Sequence, residues 1–195
     1  LLRSHDLSGG PSGETIIHKL SFEWTPGLHW VCGDEGSGKT SLVRLLAGDL
    51  PALHGRVDRP MGGVFWADLK GSEHDQTTVQ ACWDQLKPLY PSWQHAIEQD
   101  LIEALDMERH RHKPLFMLST GSRRKVMLVA ALASGAGVTL LDQPFVSLDA
   151  VSVRVIKDFL AEAAAHPCRA WIVADYEVPQ DLTLNSVLDL SQLKP

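Results

Sequence analysis

An α/β fold with a mostly parallel core sheet flanked by helices is the class this sequence predicts. Three observations carry that reading. Short β-like apolar runs alternate with helical stretches, and a glycine-rich loop joins one such run to a helix. Two further runs, Val138-Thr139-Leu140-Leu141 and Trp171-Ile172-Val173-Ala174, are near-continuously apolar. Runs of that kind suit strands covered on both faces, as in a parallel sheet sandwiched by helices. The 195 residues suffice for one domain with a full core, and 44% hydrophobic with 22% charged content is ordinary for a globular chain. No stretch of ~18 apolar residues is present, so no spanning helix is expected. The opening LLRSHDLSGG lacks the basic-then-apolar run of a secretory signal. Cys32, Cys82 and Cys168 are widely spaced without a CxxC pair, which points away from a disulfide framework or zinc site and toward a reducing cytosol. The net charge of −6 argues against nucleic acid as a partner.

In chain order, residues 1–25 read as an antiparallel edge, with Ile16, Ile17, Leu20 and Phe22 set among polar residues. Leu28 to Cys32 reads as a strand entering the glycine-rich stretch. Thr40 to Ala47 follows as a helix, Leu42, Leu45 and Leu46 on one face and Gly48 as its C-cap. Gly63 to Trp66 reads as a second buried strand. Thr77 to Met117 is helical and polar, interrupted at Pro88 and Pro91. Val126 to Ala133 is a strongly apolar helix, ended by Gly135 and Gly137, and Ser186 to Leu190 reads as a final strand.

Gly33-Asp34-Glu35-Gly36-Ser37-Gly38-Lys39-Thr40 matches G-x-x-x-x-G-K-[ST] between a strand and a helix. Glycines let the backbone curl so that its N–H groups face phosphate oxygens, beside the positive N-terminus of the helix that continues through Ser41. Lys39 supplies a point charge for the β- and γ-phosphates, and the Thr40 hydroxyl is placed to ligate Mg²⁺. Asp142, closing an apolar strand, would lie beside that loop in a parallel sheet and hold the Mg²⁺ through water. A phosphate-bearing ligand with Mg²⁺ is therefore expected, and the loop alone leaves the class of NTPase open.

On these motifs the chain resembles the nucleotide-binding domain of ABC transporters along nearly its whole length. Leu118-Ser119-Thr120-Gly121-Ser122, followed by Arg123-Arg124-Lys125, stands where that family has its LSGGQ signature. Asp142-Gln143-Pro144 through Leu148-Asp149 resembles the Walker B segment running into the D-loop. Leu46-Ala47-Gly48 with Gly55-Arg56-Val57 matches the chain after the P-loop helix, and Thr78-Val79 the start of the helical subdomain. The resemblance implies a P-loop NTPase fold of ABC type with an N-terminal antiparallel β edge. It implies a single domain over 1–195: a catalytic core of 1–70 and 118–195, and a helical insertion of 71–117. It also implies a head-to-tail dimer with a second ATP-binding domain, in which Ser119 and Gly121 serve the γ-phosphate of the partner's ATP. A transmembrane permease subunit would be the other partner, with this chain cytoplasmic and peripheral on the inner face of the cell membrane.

The departures from the family pattern cluster where hydrolysis needs chemistry. Gln143 stands where a Glu polarises the attacking water, and an amide cannot accept the water's proton. Ala174 stands at the switch-histidine position, and Ala67-Asp68 at the Q-loop. Gly10-Pro11-Ser12-Gly13 occupies the place of the adenine-stacking aromatic, leaving Trp24 as the nearby candidate. The expectation is a subunit that binds Mg-ATP and hydrolyses it slowly or not at all in isolation. The alternative readings are a soluble regulatory module of the same type without a membrane partner, and an unrelated P-loop kinase.

Arg109 to Lys113 reads as a solvated basic face. Arg123, Arg124 and Lys125 read either as phosphate contacts or as a charged helix start. Trp30, Trp66 and Trp171 read as core, while Trp83 and Trp93 read as packing or as lining a groove for a coupling helix. No cysteine is expected to be catalytic.

Overall fold

The apolar runs pair as a parallel sheet in the computed structural model of the chain, which describes residues 1–69 and 71–193. The expected boundary at residue 70 and the chain end at 195 lie outside the described residues. Two compact units form: Leu1–Trp66 with Gly137–Gln143 and Phe159–Pro195, and Ala67–Ala136 with Pro144–Asp158.

In the first unit the chain runs β1 (Leu2–Gly9), β2 (Ile17–Trp24), β3 (Gly27–Cys32), α1 (Lys39–Ala47), β4 (His54–Asp58), β5 (Val64–Phe65), β6 (Val138–Asp142), β7 (Ala170–Ala174) and β8 (Ser186–Asp189). The antiparallel sheet has the order β2-β1-β4, and the parallel sheet the order β5-β6-β7-β3-β8. Registers Val31↔Ala174 and Asp142↔Ala174 bring the carboxyl ends of β3, β7 and β6 level, so the segments leaving these strands gather at one edge. Leu42, Val43, Leu45 and Leu46 of α1 are buried in one cluster with Val31, Leu140, Ile172 and Leu188 of the parallel sheet. Leu2, Leu7 and Trp24 of the antiparallel sheet join the same cluster. Gly48 caps α1, its N–H reaching the Arg44 and Leu45 carbonyls.

Two strand expectations change. β4, unanticipated, is an exposed polar segment with no apolar period, and it holds its place by pairing with β1. The strand at Gly63 to Trp66 contracts to Val64–Phe65, with Trp66 only half-buried.

His29, buried in the middle of β3, has a fixed pattern of hydrogen bonds. Its Nε2 lies 2.7 Å from the Thr25 carbonyl, which can only accept, so Nε2 carries the hydrogen. Nδ1, 2.7 Å from Ser186 Oγ, then accepts from the hydroxyl. Burial holds the imidazole below its ordinary value, partly opposed by the Thr25 carbonyl, with the charge of the N-terminus acting with burial.

The second unit contains α2 (Val79–Leu86), α3 (His95–Ala104), α4 (Thr120–Ala133) and the opening of α5 (Ala150–Ala163). Thr78 caps α2 by accepting the Ala81 N–H. Trp83 is fully buried and donates its indole N–H to the Val126 carbonyl at 2.9 Å, so it packs the interior and lines no external groove. Buried Glu98 takes an ion pair from Lys87 at 2.8 Å and the Trp93 indole N–H at 2.9 Å. Trp93 is thereby also committed inside its own unit.

α4 begins at Thr120, ahead of the apolar stretch at Val126, because the Ser119 side chain accepts the Ser122 N–H and caps a polar first turn. Arg123, on that turn, donates to the carbonyls of Leu69 and Gly71 and to the Asp75 carboxylate. One planar guanidinium so fixes the segment that follows β5, a geometry the single point charge of lysine does not reproduce.

Two expectations follow. As pH falls from 7 to 5 the unfolded chain protonates His29 before the folded chain does, so urea stability should decline. His110 and His166, also held below the ordinary value mainly by burial, act in the same direction. His29→Gln should therefore flatten the slope without abolishing it, and a slope equal to wild type would contradict the assignment. Arg123→Ala should cost about 1.5–3 kcal/mol for the lost charge-assisted bonds and raise amide exchange over residues 69–75, with Arg123→Lys recovering only part. Unchanged exchange there would refute the latch.

Candidate functional site

β3 delivers the chain into the glycine-rich loop, and α1 starts at Lys39 with no side-chain cap. Gly38 has φ +97, and a Cβ there would meet Ile16 Cγ2 at 2.7 Å, so both backbone angle and space demand glycine. The Ser37 N–H turns back onto the Asp34 carbonyl at 3.1 Å, and Gly33 and Gly36 also take positive φ. The Asp34 N–H donates to Ser191 Oγ at 3.0 Å, a tether just beyond β8 that no short-range motif announces. The first N–H groups of α1, at Lys39, Thr40 and Ser41, lack intrahelical acceptors by the geometry of a helix start. They and the helix dipole make an anion site.

Lys39 is 5% exposed. Its ammonium donates to the Gly33 carbonyl at 2.6 Å and the Asp34 carbonyl at 2.8 Å, and reaches Ser37 Oγ at 3.5 Å. Thr40 Oγ1 donates to Asp142 Oδ2 at 2.8 Å, which joins the start of α1 to the end of β6. This hydroxyl–carboxylate pair is a hard oxygen set. Among the described residues no group of three or more His, Cys, Asp or Glu converges on a metal position. Mg²⁺ keeps several waters and takes one or two protein oxygens plus phosphate, so the pair fits Mg²⁺.

Gln143, next after Asp142, takes φ +48 and donates its N–H to the Ala174 carbonyl at 2.7 Å. Its side chain can orient water by hydrogen bonding but has no site for the proton. Ala174 is fully buried as the last residue of β7. Ala174 therefore offers only its carbonyl, and the side chain from this strand end that reaches the loop is instead Tyr176, whose ring centroid is 4.2 Å from Lys39 Nζ. Sequence reading stopped at the strand and missed it, since one aromatic just past an apolar run carries no periodic signal.

The Cys32 thiol, just before the loop, is pushed up by burial with the Asp189 charge adding to it, and so is not poised as a nucleophile. Cys168 is exposed with Sγ 3.9 Å from His166 Nδ1, but that nitrogen already accepts the Arg169 N–H at 3.1 Å in a turn. Trp24 is fully buried in the core, which removes it as an adenine contact. Pro11–Gly13 forms a 3-10 turn.

The signature-like residues lie in the second unit. Ser119 is exposed at the start of α4. Gly121 is buried, and a Cβ on it would come within 2.2 Å of the Ser147 carbonyl, so any larger residue would separate the two segments. Lys125 pairs with Asp149 at 2.8 Å. That bond, with the Ser152 N–H and hydroxyl, holds the Asp149 carboxyl well below the usual carboxylate range. Arg123 and Lys125 are thus engaged inside their own unit. Arg109 and Arg111 of the basic stretch pair with Asp106 and Glu108.

Residues 17–146 match the ABC transporter family. The cytochrome c biogenesis ATP-binding export protein CcmA of Rhodobacter capsulatus is 32% identical over 203 residues, covering 100% of this chain and 89% of that protein. The protein of the same name from Zymomonas mobilis is 32% identical over 163 residues, covering 82% of this chain and 71% of its own length. Among solved structures, an ABC transporter ATP-binding protein from Pyrococcus furiosus superposes with a TM-score of 0.76 at 21% identity, covering 98% of both chains, which speaks to the fold. Sequence match and fold agree: the chain belongs to the ABC transporter family, as a divergent nucleotide-binding domain.

Proposed function

We propose that this chain is an ABC transporter ATP-binding subunit that holds Mg-ATP on the loop from Gly33 to Ser41 and hydrolyses it slowly by itself. The observation that carries the proposal is the Thr40–Asp142 hydrogen bond beside a buried Lys39. Main-chain N–H groups of Gly36, Gly38, Lys39, Thr40 and Ser41 and the ammonium of Lys39 grip the phosphates, joined by the Ser37 N–H once it turns away from the Asp34 carbonyl. Thr40 and Asp142 hold Mg²⁺, which would neutralise developing charge on the β- and γ-oxygens. Gln143 orients water but cannot deprotonate it, a loss that general-base catalysis puts at roughly 10²–10⁴-fold.

Beyond the single site, the proposal includes a head-to-tail dimer, homo- or heteromeric. In it Ser119 and Gly121 would meet the γ-phosphate held by the second ATP-binding domain, and a site with an intact base could supply hydrolysis. The whole chain would act as one ATP-binding domain, core 1–70 and 118–195 with the helical insertion 71–117. Among the described residues no helix is long and apolar enough to cross a membrane. A transmembrane permease subunit would hold the chain at the inner face of the cell membrane, on its cytoplasmic side. The relatives' names favour export as the direction of transport.

Nucleotide affinity and phosphate release measured together test this reading. Wild type should bind Mg-ATP and release little phosphate; Lys39→Ala should bind roughly 10–100-fold more weakly, the worth of charge-assisted bonds. Gln143→Glu should raise release by at least ten times. Wild-type turnover at ordinary transporter rates, abolished by Lys39→Ala, would overturn the slow-hydrolysis half. Chelating the metal with EDTA should weaken binding by wild type but change Asp142→Asn little. Equal sensitivity of the two would show that Asp142 does not carry the ion.

A further inference from the structure

The ammonium of Lys39 is engaged in a way the phosphate-binding reading does not explain. Two main-chain carbonyls take protons from it, Ser37 Oγ lies at 3.5 Å, and the ring of Tyr176 covers a further face at 4.2 Å. Lys39 is 5% exposed while Tyr176 is 45% exposed, so the ring is the outer layer over a buried cation. The ring is held there by backbone. The Asp175 N–H donates to the Val31 carbonyl at 3.0 Å and the Tyr176 N–H to Asp175 Oδ1 at 2.8 Å, which ties the segment beside the end of β3.

We propose that Tyr176 is a gate on the phosphate site: its ring sits over Lys39 and must leave when the β- and γ-phosphates arrive. An aromatic face and a phosphate are both negative and compete for the same face of one cation. With the backbone of 175–176 pinned, a side-chain rotation suffices to uncover the face of the ammonium that the ring covers. The ring therefore sets how tightly the chain takes nucleotide, since every binding event gives up this contact. Tyr176 acts as a positioning and affinity-setting residue through Lys39, and the inference rests on the nucleotide-binding reading above.

NMR of selectively labelled lysine in the whole chain tests the gate without nucleotide, and titration tests it with nucleotide. The Lys39 ε-methylene should carry an upfield ring-current shift that is lost in Tyr176→Leu and lost again in wild type on saturation with Mg-ATP. Tyr176→Leu, which keeps bulk but removes the π-face, should bind ATP and ADP roughly two- to fivefold more tightly, the equivalent of one exposed cation–π contact. Tyr176→Phe, the conservative variant, should restore the shift. A Lys39 signal unshifted in wild type, a shift that survives saturation, or affinity unchanged or weakened in Tyr176→Leu would each overturn the gate. A shifted Lys39 signal in a wild-type chain that binds no nucleotide would instead bring down the nucleotide-binding reading, and this inference with it.

Discussion

A buried ammonium must keep acceptors at all times, and the proposed grip on phosphate requires the loop to present donors; Lys39 is where these two demands meet. A cation at 5% exposure without partners would be too costly to keep. The loop answers by curling its carbonyls of Gly33 and Asp34 onto the ammonium, which turns the main chain at the same time. Glycine at position 38 permits that path, and Ile16 lies against it so closely that no Cβ fits. The level strand ends of β3, β6 and β7 then decide what gathers beside the loop: Thr40 with Asp142, Gln143 on the Ala174 carbonyl, and Tyr176 over the cation.

Binding and turnover separate in this chemistry. The groups suited to gripping a triphosphate are main-chain donors, one ammonium and one hydroxyl–carboxylate pair, and all are assembled in the first unit. A group suited to taking a proton from water is absent from position 143, where the amide has neither charge nor free basicity. The second unit supports its signature-like segment by contact as well as charge: Gly121 abuts the Ser147 carbonyl, and Lys125 pairs with Asp149 at the start of α5. That segment is thus built into its unit even though its sequence, Leu-Ser-Thr-Gly-Ser, departs from the family motif.

Much of the first unit was legible because its signals are local. β3, β6 and β7 are apolar runs buried on both faces, and the loop between β3 and α1 is a spacing motif read directly from residue types. What escaped depends on partners distant in sequence. β4 is polar and exposed, and only pairing with β1 makes it a strand. The first turn of α4 is polar, and its helical state follows from the Ser119 cap and the Arg123 latch onto Leu69, Gly71 and Asp75. α5 announces its start through Asp149 and Ser152, yet the reading of that stretch ended at the Asp. Tyr176 and Ser191 join the loop across long separations, with no sequence period to mark them.

A crystal structure of the chain grown with Mg-ATP tests the central claim most directly. The account requires the triphosphate seated on the main-chain N–H groups from Gly36 to Ser41, the ion between Thr40 and Asp142, and only the Gln143 amide beside the water facing the γ-phosphate. An empty loop in such crystals, or a carboxylate touching that water, would contradict it.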